Sequence, residues 1–177
     1  MLLSHDELIE LVRCGVISAE LSRVNGASID ITLDNDIKIE STHGKIVDLI
    51  AKENINMISL NIDNGYALAP GEFILASSRE VFNLPDDISC EYKLKSSMAR
   101  NGLDHATAGF CDATWSNSKL TLELSNVTKN HILWLTPGMA IGQMLFFKHT
   151  PVPAEKSYAV MGQYNNQKSV TESKGLR

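Results

Sequence analysis

Apolar and polar residues alternate with a period of two in run after run of this chain, and turn residues separate the runs. Ile29, Ile31 and Leu33 alternate with Asp30 and Thr32, and Ile37 and Ile39 flank Lys38. Met57 to Ile62, Phe73 to Leu75, Cys90 to Leu94 and Leu120 to Leu124 continue the pattern, while Ile141 to Phe147 is more uniformly apolar. Such runs put one face in a core and one toward solvent, as half-buried strands do. Asn25-Gly26, Asp34-Asn35, Asn64-Gly65, Pro70-Gly71, Pro85-Asp86 and Pro137-Gly138 mark the turns. Only the start reads as a helix: Ser4 and Glu7 have capping-box spacing, an apolar face follows, and Gly15 stops it. Many short strands with few helical turns predict a mainly β fold, a distorted jelly roll or β-barrel.

With 177 residues the chain suits one domain with its own core. Two segments echo each other, Leu68-Ala69-Pro70-Gly71 before one strand and Leu135-Thr136-Pro137-Gly138 before another. They fit a double-wound β architecture. From about Gly162 the chain turns polar, and residues 162–177 read either as a loose end or as a lid over ligand.

A formal net charge of -5 speaks against nucleic acid or a membrane surface as partner. Cys14, Cys90 and Cys111, odd in number and far apart, read as reduced thiols. The first residues lack a signal-peptide pattern, and no apolar run is long enough to span a bilayer. These features predict a cytoplasmic protein, or one of a host cytoplasm if viral.

Two segments carry possible chemistry. Lys95-Ser96-Ser97-Met98-Ala99-Arg100, stopped by Gly102, predicts a one-turn helix capped by serine. Its N–H groups, two hydroxyls and two cations are a possible anion grip, or simply a solvated cap. In Leu120 to Leu124 the leucines share one face, which leaves Thr121, Glu123 and Ser125 on the other. Glu123 is then a surface charge, or, if that face lines a cleft, a carboxyl whose raised pKa suits proton transfer. Asp112 and Trp115 precede this strand as a polar contact and an aromatic wall. None of the five histidines stands in a zinc-deaminase or structural-zinc pattern.

Taken together, these segments resemble the dCTP deaminases, which share the trimeric dUTPase fold. The similarity runs from Met1-Leu2-Leu3-Ser4 through Gly26 to Leu33. It is densest over Lys95 to Asn126 and at Pro137 to Gln143, and it ends in Gln167 to Ser173. It implies zinc-independent hydrolysis of dCTP to dUTP and ammonia, supplying dUTP and dUMP for thymidylate synthesis. Glu123 matches the proton-moving glutamate, and Ser96 with the Ala108 carbonyl the holders of the attacking water. Arg100 matches the arginine that supports developing charge. Lys95, Ser96, Ser97 and Arg100 match the phosphate segment. Asp112, Thr121, Leu122, Tyr158, Gln163 and Gln167 fall where the family holds the rest of the nucleotide.

The resemblance also implies Mg²⁺ carried on the phosphates, dTTP as a possible inhibitor, and a homotrimer with sites between subunits. Lys95 and Gln163 stand where arginine and lysine are usual. The loop between Arg100 and Asp112 is one residue short, and the turn 115–119 one residue long. Two other enzymatic readings stay open: a bifunctional deaminase giving dUMP and diphosphate, and a plain dUTPase. So does a non-catalytic trimeric module. Trp115 favours the enzyme that stops at dUTP, because dUMP-forming members tend to carry phenylalanine there.

Overall fold

The computed structural model describes residues 1–175; Leu176 and Arg177, the end of the expected lid, lie outside the described residues. Helix α1 (His5–Arg13) forms where expected, with the Glu7 carboxylate accepting a 2.9 Å hydrogen bond from the Ser4 N–H. Leu8 and Leu11 are its buried face.

Eleven strands follow among the described residues: β1 (Ile29–Thr32), β2 (Asp36–Glu40), β3 (Met57–Asn61), β4 (Tyr66–Leu68), β5 (Phe73–Asn83), β6 (Ile88–Leu94), β7 (Leu103–His105), β8 (Phe110–Cys111), β9 (Ser116–Asn126), β10 (Leu133–Leu135) and β11 (Ala140–Lys148). They form three antiparallel sheets, in the orders β1-β11-β6-β8, β3-β2-β5-β9-β7 and β10-β4. The mainly β expectation holds, but these sheets do not close into one barrel. One apolar core joins the two larger sheets: Ile29, Met144 and Phe146 from one, Ile37, Ile74 and Leu122 from the other. Buried Glu80 on β5 ties them again, accepting from Thr32 N (3.0 Å) and Thr32 Oγ1 (2.6 Å).

The echoed segments meet. Strands β4 and β10 pair, Leu68 opposite Leu133 and Tyr66 opposite Leu135, and each leads through its Pro-Gly turn into a long strand. Gly71 and Gly138 take φ of 76° and 83°, a left-handed conformation that favours glycine.

Helix α2 (Ser96–Arg100) begins one residue earlier than a serine cap requires, so Lys95 occupies the cap position. Its side chain is engaged elsewhere, by Asp30 on β1 at 2.7 Å. A third short helix, α3 (Tyr158–Met161), introduces the C-terminal segment. That segment runs back across β9: Lys119 N donates to Gln167 O (2.8 Å), and Thr171 N to Thr121 Oγ1 (3.2 Å). Lys38 binds Glu172 at 2.6 Å and pins its far end to β2.

Candidate active site

Burial along β9 alternates as the sequence predicts, with Leu120, Leu122 and Leu124 in the core and Thr121, Glu123 and Ser125 half-buried opposite. Thr121 and Glu123 of the half-buried face line a cleft of about 490 Å³. Met57, Phe73, Leu75 and Leu49 give the cleft an apolar lining, and Trp115 also lines it. The C-terminal segment forms another wall through Tyr158, Tyr164, Gln167 and Glu172. Trp115 lines the cleft as an aromatic wall and is also buried in the core, with Nε1 donating to Tyr164 O at 2.8 Å.

Of the residues expected at the site, Glu123, Ala108, Asp112, Thr121, Tyr158 and Gln167 line this one cleft. The Oε1 of Gln167 is buried without a hydrogen-bond partner among the described residues. Leu122 is elsewhere: its side chain lies wholly in the core, as the strand's period demands. Gln163 is also absent from the lining, its backbone carbonyl accepting from Lys174. Lys95, Ser96, Ser97 and Arg100 lie on and before α2, and none reaches the cleft of its own chain. Ser96, Ser97 and Arg100 are exposed.

Glu123 sits between β5 and β7, opposite Leu75 on one side, with its carbonyl accepting from Ala106 N at 3.1 Å on the other. Burial in these surroundings raises its carboxyl pKa to about 7, against a weaker opposing backbone hydrogen bond. His105 Nε2 lies 3.3 Å from Glu123 Oε2, the distance of an ion pair. Charge states argue otherwise. Burial lowers the His105 pKa to about 4, only partly countered by Asp104, so the ring is neutral when Glu123 titrates. The contact is therefore between a neutral imidazole and a carboxyl that gains and loses its proton near pH 7. A carboxyl poised there passes protons in both directions at little cost.

Sequence periodicity did not find His105, because its partner is 18 positions away and only the β7–β9 pairing unites them. The wall from the loop between β2 and β3 was missed for a related reason: that loop has no regular period.

The family model described as dCTP deaminase-like matches residues 2–149, most of the chain. This chain belongs to the dCTP deaminase-like family. A relative from Beutenbergia cavernae named dCTP deaminase, dUMP-forming is 37% identical over 158 residues, 85% of this chain and 81% of the relative. A protein of the same name from Streptomyces coelicolor is 39% identical over 163 residues, 88% of this chain and 83% of that one. Among solved structures, the 2'-deoxycytidine 5'-triphosphate deaminase from Agrobacterium tumefaciens matches with a TM-score of 0.67 over 84% of this chain. This chain spans about half of that one (48%), and at 18% identity the likeness is one of fold.

Proposed function

We propose that the protein hydrolytically deaminates dCTP, with Glu123 moving the protons. One observation supports this above the rest: a half-buried carboxyl with a near-neutral pKa on the floor of a nucleotide-sized cleft. As a base, Glu123 takes a proton from a water aimed at C4 of the pyrimidine. As an acid, it delivers that proton to the ring nitrogen; it then takes the proton of the new C4 hydroxyl and delivers it to the departing amine. Water oxygen bonds to C4 first, and the bond from C4 to the amine then breaks as the C4 carbonyl forms, so ammonia and a uracil nucleotide leave. Thr121, Asp112, Tyr158 and Gln167 supply polar contacts for sugar and base. Ser96 and the Ala108 carbonyl hold the water in this reading, and Arg100 supports the charge that develops near the carbon.

The charge of the cleft bears on assembly. Glu53, Asp112, Glu123 and Glu172 line it, and among the described residues no lysine or arginine does. A triphosphate needs cations there. Mg²⁺ bound to the phosphates, as part of the substrate, supplies some. The rest comes from Arg100 of a neighbouring copy in a homotrimer, with Lys95 beside it and the Ser96 and Ser97 hydroxyls as neutral donors. Two copies thus complete each site, and the C-terminal segment acts as its lid. dTTP, which shares the triphosphate and deoxyribose, fits the same site as an inhibitor. The protein acts in the cytoplasm in this reading. Turnover should need Mg²⁺ but not zinc, so a zinc-selective chelator with Mg²⁺ in excess should leave the rate unchanged. Loss of activity restored only by zinc contradicts the mechanism.

A second reading has support of its own. Trp115 favours release of dUTP, whereas the relatives at 36–39% identity carry the words dUMP-forming in their names. Incubation with dCTP and Mg²⁺ followed by nucleotide separation distinguishes the readings. Ammonia with dUTP supports the first, and ammonia with equal pyrophosphate and dUMP from the earliest turnovers supports the second. Pyrophosphate without ammonia, or no product, counts against deamination altogether.

A further inference from the structure

Two of the free cysteines face each other across a ladder. Cys90 on β6 and Cys111 on β8 are direct antiparallel partners, with Glu91 opposite Phe110 as the next pair and Tyr92 N donating to Gly109 O at 2.9 Å just beyond. Residues paired in this way point to the same face of the sheet, with Cα atoms about 4.5–5.5 Å apart. A disulfide spans Cα separations of about 4.4–6.8 Å, so the backbone already holds the two cysteines at a distance that such a link can bridge.

The two thiols differ in access. Cys90 is wholly buried in the core, whereas Cys111 is nearly buried but lines the cleft. Burial, and then the Cys111 thiol beside it, hold the Cys90 thiol well above its ordinary pKa, so it waits there as a neutral thiol. Cys111 also stands among groups of the proposed site, three residues after Ala108 and next to Asp112. The proposed mechanism uses neither sulfur. Cys14, just past the end of α1, is the exposed cysteine.

We propose that Cys90 and Cys111 are a redox modification site, joined into a disulfide by hydrogen peroxide entering through the cleft, and that the link switches off the neighbouring active site. The Cys111 sulfur attacks one peroxide oxygen; the O–O bond breaks, leaving a sulfenic acid on Cys111 and releasing water. The Cys90 thiol then attacks the Cys111 sulfur, the S–O bond breaks, and the hydroxyl departs with the thiol proton as a second water. The two sulfurs give up two electrons in all, and the peroxide takes them. Closing the link draws the Cβ atoms from about 4.5–5.5 Å, usual for directly opposite residues, to about 3.5–4.5 Å. Strand β6 is paired along its other edge with β11, while β8 has only two residues, so β8 is the strand that yields. A shift of about 1 Å in the residues flanking Cys111 is on the scale that costs roughly 10²-fold in rate. Strained disulfides are the more easily reduced, so thiols reverse the switch.

The test uses the Cys14→Ser protein, which lacks the exposed thiol and any link it could form between molecules. After treatment with hydrogen peroxide, Cys90 and Cys111 should lose their thiols together. The denatured chain should be lighter by two hydrogens, run as a monomer on a non-reducing gel, and yield a peptide pair joined at these two residues. Turnover of dCTP should fall by roughly 10–100-fold and return on treatment with dithiothreitol. This activity arm rests on the proposed deamination, whereas the mass and the thiol count need no nucleotide. The link is therefore decided even if the reduced protein fails to deaminate dCTP. Surviving thiols, oxygen added to either sulfur without a link, or a link between chains overturns the site. Full turnover by the linked protein overturns the switch.

Discussion

Replacing Glu123 with glutamine is expected to lower dCTP turnover by roughly 10²–10⁴-fold, the scale of losing a positioned general acid–base. Glutamine keeps size and polarity but cannot exchange a proton at neutral pH. Nucleotide should still bind if, as proposed, the phosphate grip lies on α2 of a neighbouring copy. The same variant carries a stability signature. Burial raises the Glu123 pKa in the folded protein to about 7 from an ordinary 4.5, so its contribution is fully present below pH 4.5 and lost as pH rises through 7. The wild type then bears a cost on the order of 3 kcal/mol that glutamine avoids. Glu123→Gln should match wild type in thermal stability at pH 4.5 and exceed it at pH 8. Near wild-type turnover by a folded variant, or an equal stability gap at both pH values, sinks the assignment.

His105 hides this in the wild type. Its pKa is depressed to about 4, so its contribution is present above pH 6.5 and lost as pH falls through 4. The two contributions run oppositely over nearly the same window and largely cancel. Only the variant exposes either.

The second large effect is complementation between copies. Arg100→Ala should cost roughly 10²-fold or more in kcat/KM, since a charged donor to phosphate or to developing charge is lost. Glu123→Gln alone is likewise nearly inactive. If each site takes Glu123 from one copy and Arg100 from another, unfolding the two variants together and refolding them rebuilds intact sites. Random assembly gives about one site in four both wild-type groups, and activity should return to about a quarter of wild type. No recovery in a mixture shown to have exchanged subunits places both residues in one chain's site and refutes the shared site.

Much of this was legible in the sequence because it depends on short-range period. Alternation along Leu120 to Leu124 put Glu123 on the face opposite the core, and the structure keeps it there. Strands β5 and β9 ran further than their apolar runs, because paired polar residues such as Ser77 and Ser118 extend the ladder unmarked by hydropathy. The two- and three-residue strands β4, β7, β8 and β10 carry too few residues to show a period at all. Lys95 takes the cap position in place of a serine, and its side chain is held by Asp30, 65 positions away, a partner no local pattern shows. The placing of Gln167 and Thr171 along the cleft rests on hydrogen bonds to β9, from Lys119 N to Gln167 O and from Thr171 N to the Thr121 hydroxyl, which leave no trace in composition. Leu122 illustrates the opposite limit: matching a family position cannot say whether the side chain or the backbone faces the ligand.

The near-neutral carboxyl of Glu123 carries the account, and its titration can be observed directly. Wild-type protein labelled with ¹³C-carboxyl glutamate, the signal assigned by its disappearance in Glu123→Gln, should show Glu123 titrating with a midpoint of about 7. A midpoint near 4.5, the ordinary value, would mean that a solvated surface carboxylate has been mistaken for the proton shuttle.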